Sequence, residues 1–207
     1  DVMLRIEGPA VAQLQAVFVE DWFFATRESL DDDACFPALE DRGESILQCV
    51  QSGPDQTVEA IHRLYFAAIA AARERVWIST PYFVPDRAVL VALQTAALRG
   101  VDVRLVVPAH SNYPIAKWAG ESFYDELLEA GVRIFEYGPE MLHTKALVVD
   151  GRFATVGSAN LDVRSFRLNF ELVAVRMARH HLITHGFAID QQIDEGLIVL
   201  KLKRRLG

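Results

Sequence analysis

His143, Lys145, Asn160 and Glu171 supply an imidazole, an ammonium, an amide and a carboxylate at spacings that let β-strands gather them around one phosphate. Side chains on a strand alternate between faces, so His143 and Lys145, two residues apart, project to the same side. Ser158 with Asn160, and Asn169 with Glu171, repeat that spacing further along the chain. Asp150 falls on the opposite parity. The Asp150-Gly151 pair between the apolar runs ALVV and FATV reads as a tight hairpin turn that aims this carboxylate away from the phosphate.

A phosphodiester repels nucleophiles, so a site that cleaves one must neutralise charge, present a nucleophile and protonate the leaving alkoxide. Nε2 of a neutral His143 can bond phosphorus directly and give a phosphohistidine, while a carboxylate behind Nδ1 fixes the tautomer and stabilises the positive ring. Glu171 is expected to be that carboxylate. Lys145 and Asn160 would donate to the non-bridging oxygens, where one such donor is typically worth about 2.7–4 kcal/mol. Ser158 either adds a hydrogen bond to the phosphate or shapes the turn. One histidine cannot be nucleophile and acid at once, so a second imidazole has to come from elsewhere.

The elements that must position these groups alternate. After an opening strand in DVMLRIEG, Gly8-Pro9 starts a helix whose Val11, Leu14, Phe18, Trp22 and Ala25 recur at helical spacing, a face that has to be buried. Residues 28–45 are acidic and break the period, as a linker would. Strands are expected at 46–51, 75–80, 102–107, 132–137 and 169–177, with helices at 56–73, 86–99 and 115–130 between them. A hairpin at 143–157 and a final helix from about 180 complete the order. The pattern implies an α/β fold, a mixed but largely parallel sheet flanked by helices on both faces, with residues 1–45 as the tail of a preceding unit plus linker and 46–207 as the domain carrying the site.

Ligands in such sheets bind at strand ends. Tyr82 and Phe83 in TPYFVPD could there line an apolar pocket for an acyl or glycerol group, although Phe83 reads more readily as a plug of the core. His110 reads as incidental, Met141 as core packing, and His62, His180, His181 and His185 as surface or capping residues on helices. Cys35 and Cys49 have no metal-binding spacing and are expected as free thiols. The strand ends offer no set of Asp, His or Cys at metal spacing, so neither metal nor other cofactor is expected.

A hydrophobic content of 51% with 24% charged residues is that of a globular protein, and no apolar run reaches the length of a membrane span. The net charge of −7 is uneven: 11 basic and 22 acidic residues lie before His143, 10 basic and 6 acidic from His143 onward. Acidity of the first part argues against a nucleic-acid substrate.

The residues from His143 to Asp150, with Gly157, Ser158 and Asn160 following, resemble the H-x-K-x4-D and G-S-x-N signature of the phospholipase D superfamily. ISTPYFVPD, GVDVRLVVP, ESFYDELLEAGVRIFEYGPEMLHTK and GSANLDVRSFRLNFEL are similar, in order, to the second half of bacterial cardiolipin synthases, and residues 1–26 to the stretch closing their first half. The resemblance implies a membrane enzyme of phospholipid biosynthesis that works without metal. One phosphatidylglycerol gives its phosphatidyl group to a histidine, glycerol leaves, and a second phosphatidylglycerol attacks to give cardiolipin. It also implies that Asp150 and Gly157 are structural, that His143, Lys145 and Asn160 carry the chemistry, and that a second motif is needed, either a first half absent from this chain or an identical partner in a homodimer. Two other readings stay open: a hydrolase of phospholipid or nucleic acid using the same residues, and a half that binds phosphate or its partner without turnover.

Overall fold

The computed structural model describes residues 1–43, 45–138 and 140–177 in full, and beyond them the backbones of two strands. Helix α1 (Ala10–Thr26) precedes strand β1 (Ile46–Ser52) and helix α2 (Ala60–Ala71). Then follow β2 (Arg75–Ser79), β3 (Phe83–Val84), α3 (Arg87–Leu98), β4 (Asp102–Pro108), α4 (Pro114–Glu121), α5 (Tyr124–Glu129) and β5 (Arg133–Tyr137). The chain continues through β6 (Ala146–Val149), β7 (Phe153–Gly157), β8 (Leu161–Asp162), α6 (Val163–Arg167) and β9 (Glu171–Met177) to a hairpin of β10 (Phe187–Asp194) and β11 (Leu197–Arg204).

Seven strands form the central sheet in the order β1-β9-β7-β6-β2-β4-β5. The mixed α/β architecture expected from the sequence is present; within this sheet β2, β4 and β5 pair in parallel and the other ladders are antiparallel, and a separate short pair, β3 with β8, is parallel. Antiparallel pairing therefore has the larger share, because the hairpin turn at Asp150 is extended on one side by β2 and on the other by β9 and β1. Alternate residues of β2 and β4 (Val76, Ile78, Val103, Leu105, Val107) meet Ile61, Tyr65 and Ile69 of α2 and Val89, Leu90 and Leu93 of α3 in one buried core. The segment leading into α1, with its first turn, lies over the other face beside Ala154, Val156 and Ala174.

Four local expectations fail for identifiable reasons. Residues 1–7 form no strand: residues 4–7 run near edge strand β1 without joining its ladder. Helix α1 forms but buries none of its residues, and Phe18 stays 51% exposed. Its hydrogen bonds to the sheet fall at edge strand β1: Cys49 N donates to Gln13 Oε1 (2.8 Å) and Gln51 Nε2 to Glu20 Oε2 (3.2 Å). The helix expected over 115–130 divides into α4 and α5 at Ser122, whose hydroxyl donates to Ala119 O (2.6 Å), and Phe123 turns edge-on to Phe83. Strands β10 and β11 stand where a terminal helix was expected, and the alternation of Leu200 and Leu202 with Lys201 and Lys203 accounts for them. His180, His181 and His185 lie outside the described residues.

Candidate active site

The hairpin is the keystone of the site. Asp150 and Gly151 both adopt positive φ (53° and 67°), as a tight turn between right-twisted strands requires, and Arg152 N donates across it to Val149 O (3.0 Å). The Asp150 carboxylate accepts from the backbone N–H groups of Arg73 (3.0 Å), Glu74 (2.8 Å) and Arg75 (2.9 Å), tying the turn to the start of β2. Burial pushes this carboxyl up, but the three N–H donors outweigh it and hold it below the usual carboxylate range. Asp150 is therefore structural in its contacts, and its parity keeps it at the edge opposite His143.

At that other edge Ser79 of β2 pairs with Ala146, and Ala146 with Val156 near the end of β7. Gly157 in turn pairs with Val173 of β9. The segments bearing His143 and Lys145, Ser158 and Asn160, and Asn169 and Glu171 thus converge, as their spacing suggests. Gly157 is obligatory for the approach, because a Cβ there would lie 2.2 Å from Leu172 O.

Lys145 is 9% exposed, and its Nζ lies 2.7 Å from the carbonyl oxygen of His143 and 3.1 Å from His143 Nδ1. Burial drives its pKa down to about 8 against the opposing pull of Glu171 and Asp162. The His143 pKa is lowered by burial and then by the Lys145 cation, which favours the neutral, nucleophilic ring. His143 Nδ1 also lies 3.4 Å from Asp1 Oδ2. Glu171, 8% exposed, accepts from Asn169 Nδ2 (3.1 Å), and its field acts on Lys145. Nδ1 thus has two charged neighbours, the Lys145 ammonium at 3.1 Å and the Asp1 carboxylate at 3.4 Å, while the field of Glu171 acts on Lys145.

Ser158 Oγ accepts from Leu172 N (2.9 Å) and Ser158 N donates to Leu172 O (2.9 Å), so this residue binds β7 to β9 and shapes the strand end. The Asn160 amide oxygen, an acceptor, is buried with no partner among the described residues, and Nδ2 is the atom of this side chain that can donate to a phosphate oxygen. Tyr82 donates its hydroxyl to Asn112 Oδ1 (2.8 Å) and stays half-buried, whereas Phe83 is 3% exposed and edge-on to Phe123. Phe83 belongs to the core, not to a pocket lining. Met141, expected in the core, is exposed, and the adjacent Leu142 takes the buried position. His110 is exposed, and both cysteines are free thiols.

Sequence reasoning missed the polar frame beneath Asn160. Asp162 caps α6 by accepting from Ser165 N (2.7 Å), and Ser165 Oγ accepts from Asn160 N (3.1 Å). Thr80 Oγ1 accepts from Leu161 N (3.1 Å). Burial raises the pKa of Asp162. The Asp and Ser three apart in LDVRS were a legible capping signal. His62, expected as a surface or capping residue, is wedged with Nδ1 3.0 Å from Glu59, the residue at the start of α2, and Nε2 2.9 Å from Asp86, over the ring of Phe166. Arg167 reaches both of those carboxylates, at 3.1 and 3.4 Å. Among the described residues no group of three or more His, Cys, Asp and Glu side chains is arranged to hold a metal ion.

The profile of a family described as "Cardiolipin synthase, PLD-like domain" matches residues 65–185. The chain belongs to this phospholipase D-like family. Among curated relatives, a cardiolipin synthase of Geobacillus kaustophilus is 47% identical over 176 residues, 84% of this chain and 35% of that protein. Cardiolipin synthase A of Pseudomonas aeruginosa is 47% identical over 188 residues, 91% of this chain and 37% of that protein. The chain thus spans about a third of the length of these relatives. The fold is shared with Nuc, a phospholipase D family member from Salmonella typhimurium (TM-score 0.56, 22% identity, 67% of this chain and 87% of that one). It is shared too with phosphatidylserine synthase from Haemophilus influenzae (TM-score 0.52, 18% identity, 67% and 36%). The family match takes in His143, Lys145, Asn160 and Glu171 together.

Proposed function

We propose that this chain provides one half-site of a phosphatidyltransferase that makes cardiolipin from two phosphatidylglycerols. The observation carrying this reading is the convergence of the segments bearing a pKa-lowered imidazole, a buried lysine and the Asn160 amide at one sheet edge, in a chain nearly half identical to cardiolipin synthases. His143 Nε2 forms a bond to phosphorus as the bond from phosphorus to the glycerol oxygen breaks, and an imidazole from a second half-site protonates that oxygen. That imidazole then takes the proton from the terminal hydroxyl of a second phosphatidylglycerol. The hydroxyl oxygen bonds phosphorus and releases His143. As phosphate enters, Lys145 exchanges its contact with Nδ1 for the phosphoryl oxygens, which Asn160 also binds. Glu171 and Asp162 keep Lys145 cationic while it does so.

The second half-site belongs either to a first half in the same polypeptide or to another copy of the chain, and the membrane is where the substrate resides. No helix among the described residues is long and apolar enough to cross it. The test is His143→Ala in a protein carrying both half-sites, assayed for cardiolipin and released glycerol. Loss of both products is expected, and undiminished turnover refutes the proposal.

A further inference from the structure

Helix α4 turns an apolar edge to solvent. Tyr113 at its N-cap, Ile115 and Trp118 are 56%, 68% and 66% exposed. Ile115 and Trp118, three apart, share one helix face. Lys117, the cation of this helix, is turned aside and bound to Glu121 (2.9 Å) and Glu136 (3.0 Å), so its charge is already matched. Single exposed apolar residues need no explanation, but an aliphatic and two amphipathic aromatics on one short helix form a surface suited to the boundary between headgroups and acyl chains.

The position of α4 names its occupant. Strand β4 runs parallel to β2, so the loop entering α4 leaves the sheet at the edge where Ser79 meets Ala146, which is the edge of the candidate site. The helix is seated directly on the strand beside that site: a Cβ on Gly120 would lie 2.6 Å from Phe83 O, and Phe83 pairs with Leu161, the residue after Asn160. We infer that Tyr113, Ile115 and Trp118 form an interfacial edge that dips into a phospholipid surface and sets His143 at headgroup depth. This rests on the reading of the site as one for phospholipid. Such a substrate keeps its acyl chains in the bilayer, so the site must be brought to the headgroup and held there. The matched charge of Lys117 makes the contact one of apolar insertion, weakly dependent on salt.

The test floats the chain with phosphatidylglycerol vesicles and, separately, with phosphatidylcholine vesicles. The unaltered chain is expected to float with both, and Ile115→Gln with Trp118→Gln to lower its partitioning about tenfold or more, with each single change giving part of that loss. Phe23→Gln with Phe24→Gln, an exposed apolar pair on α1, is expected to leave partitioning unchanged. Both α4 positions are solvent-exposed, so the variants keep their fold, which circular dichroism checks; a single-site variant that melts normally decides the matter if the double one does not. Flotation equal to the unaltered chain in the α4 variants, or no flotation of the unaltered chain, overturns the inference. So does a change in oligomeric state in the α4 variants with flotation preserved, which makes the edge a protein contact. His143→Ala leaves flotation intact in either case, so failure here and failure of the proposed chemistry are told apart.

Discussion

Removing the Asp150 carboxylate is expected to cost stability and leave the chemistry of the folded protein alone. Its oxygens accept three backbone N–H groups at 2.8–3.0 Å. Hydrogen bonds to a charged acceptor contribute about 1.5–3 kcal/mol each, but this side chain is partly solvated and the three are not additive. For Asp150→Ala a loss of about 2–4 kcal/mol follows, to which the positive φ of 53° adds about 1 kcal/mol of strain. The two together, about 3–5 kcal/mol, lower Tm by roughly 6–20 °C in a chain of this length. Asp150→Asn keeps one carbonyl acceptor and tolerates the left-handed turn, so about half the loss is expected. The folded carboxyl titrates below its unfolded value of about 3.9, so its contribution is present above that pH and disappears as pH falls through the lower folded value. Thermal unfolding by circular dichroism from about pH 7 to pH 3, alongside binding of inorganic phosphate, reads both effects. Unchanged melting with lost phosphate affinity would place Asp150 in the site and refute the structural assignment.

Gly157→Ala is expected to lose about 1–3 kcal/mol, seen as a lower denaturant midpoint, because the added methyl meets Leu172 O and β9 must shift. Glu171→Gln removes a charge that raises the Lys145 pKa, so the alkaline limb of the pH–rate profile moves to lower pH, below about 8. If Glu171 instead served the imidazole alone, the acidic limb would move and the alkaline one would not.

The hairpin at Asp150 and the gathering of the polar pairs were legible because both rest on local pattern and parity. A two-residue spacing fixes the face, and the Asp150-Gly151 turn fixes the register that brings residues near 145, 158 and 171 to one edge. Which polar atom meets which was not legible. Glu171 has the right parity for His143, but spacing carries no information on its hydrogen bond from Asn169 or on the action of its field on Lys145. Phe83 and Tyr82 point to opposite sides of one strand end, so only one could face a pocket, and pattern alone could not say whether the core took Phe83. The surroundings of His62 were not legible because its carboxylate partners come from two separate helix starts and the ring it packs on, Phe166, from α6. The hydrophobic period of α1 was read correctly as helix and wrongly as burial, since periodicity shows which residues share a face and not whether anything covers it.

The most direct measurement is mass spectrometry of the protein with both half-sites, acid-free quenched within milliseconds of mixing with phosphatidylglycerol. A phosphatidyl group on His143, formed with stoichiometric release of glycerol and absent from His143→Ala, is the expected result. A modified histidine confined to the other half-site, or cardiolipin formed at full rate with no covalent species, would contradict the assignment of His143 as the nucleophile.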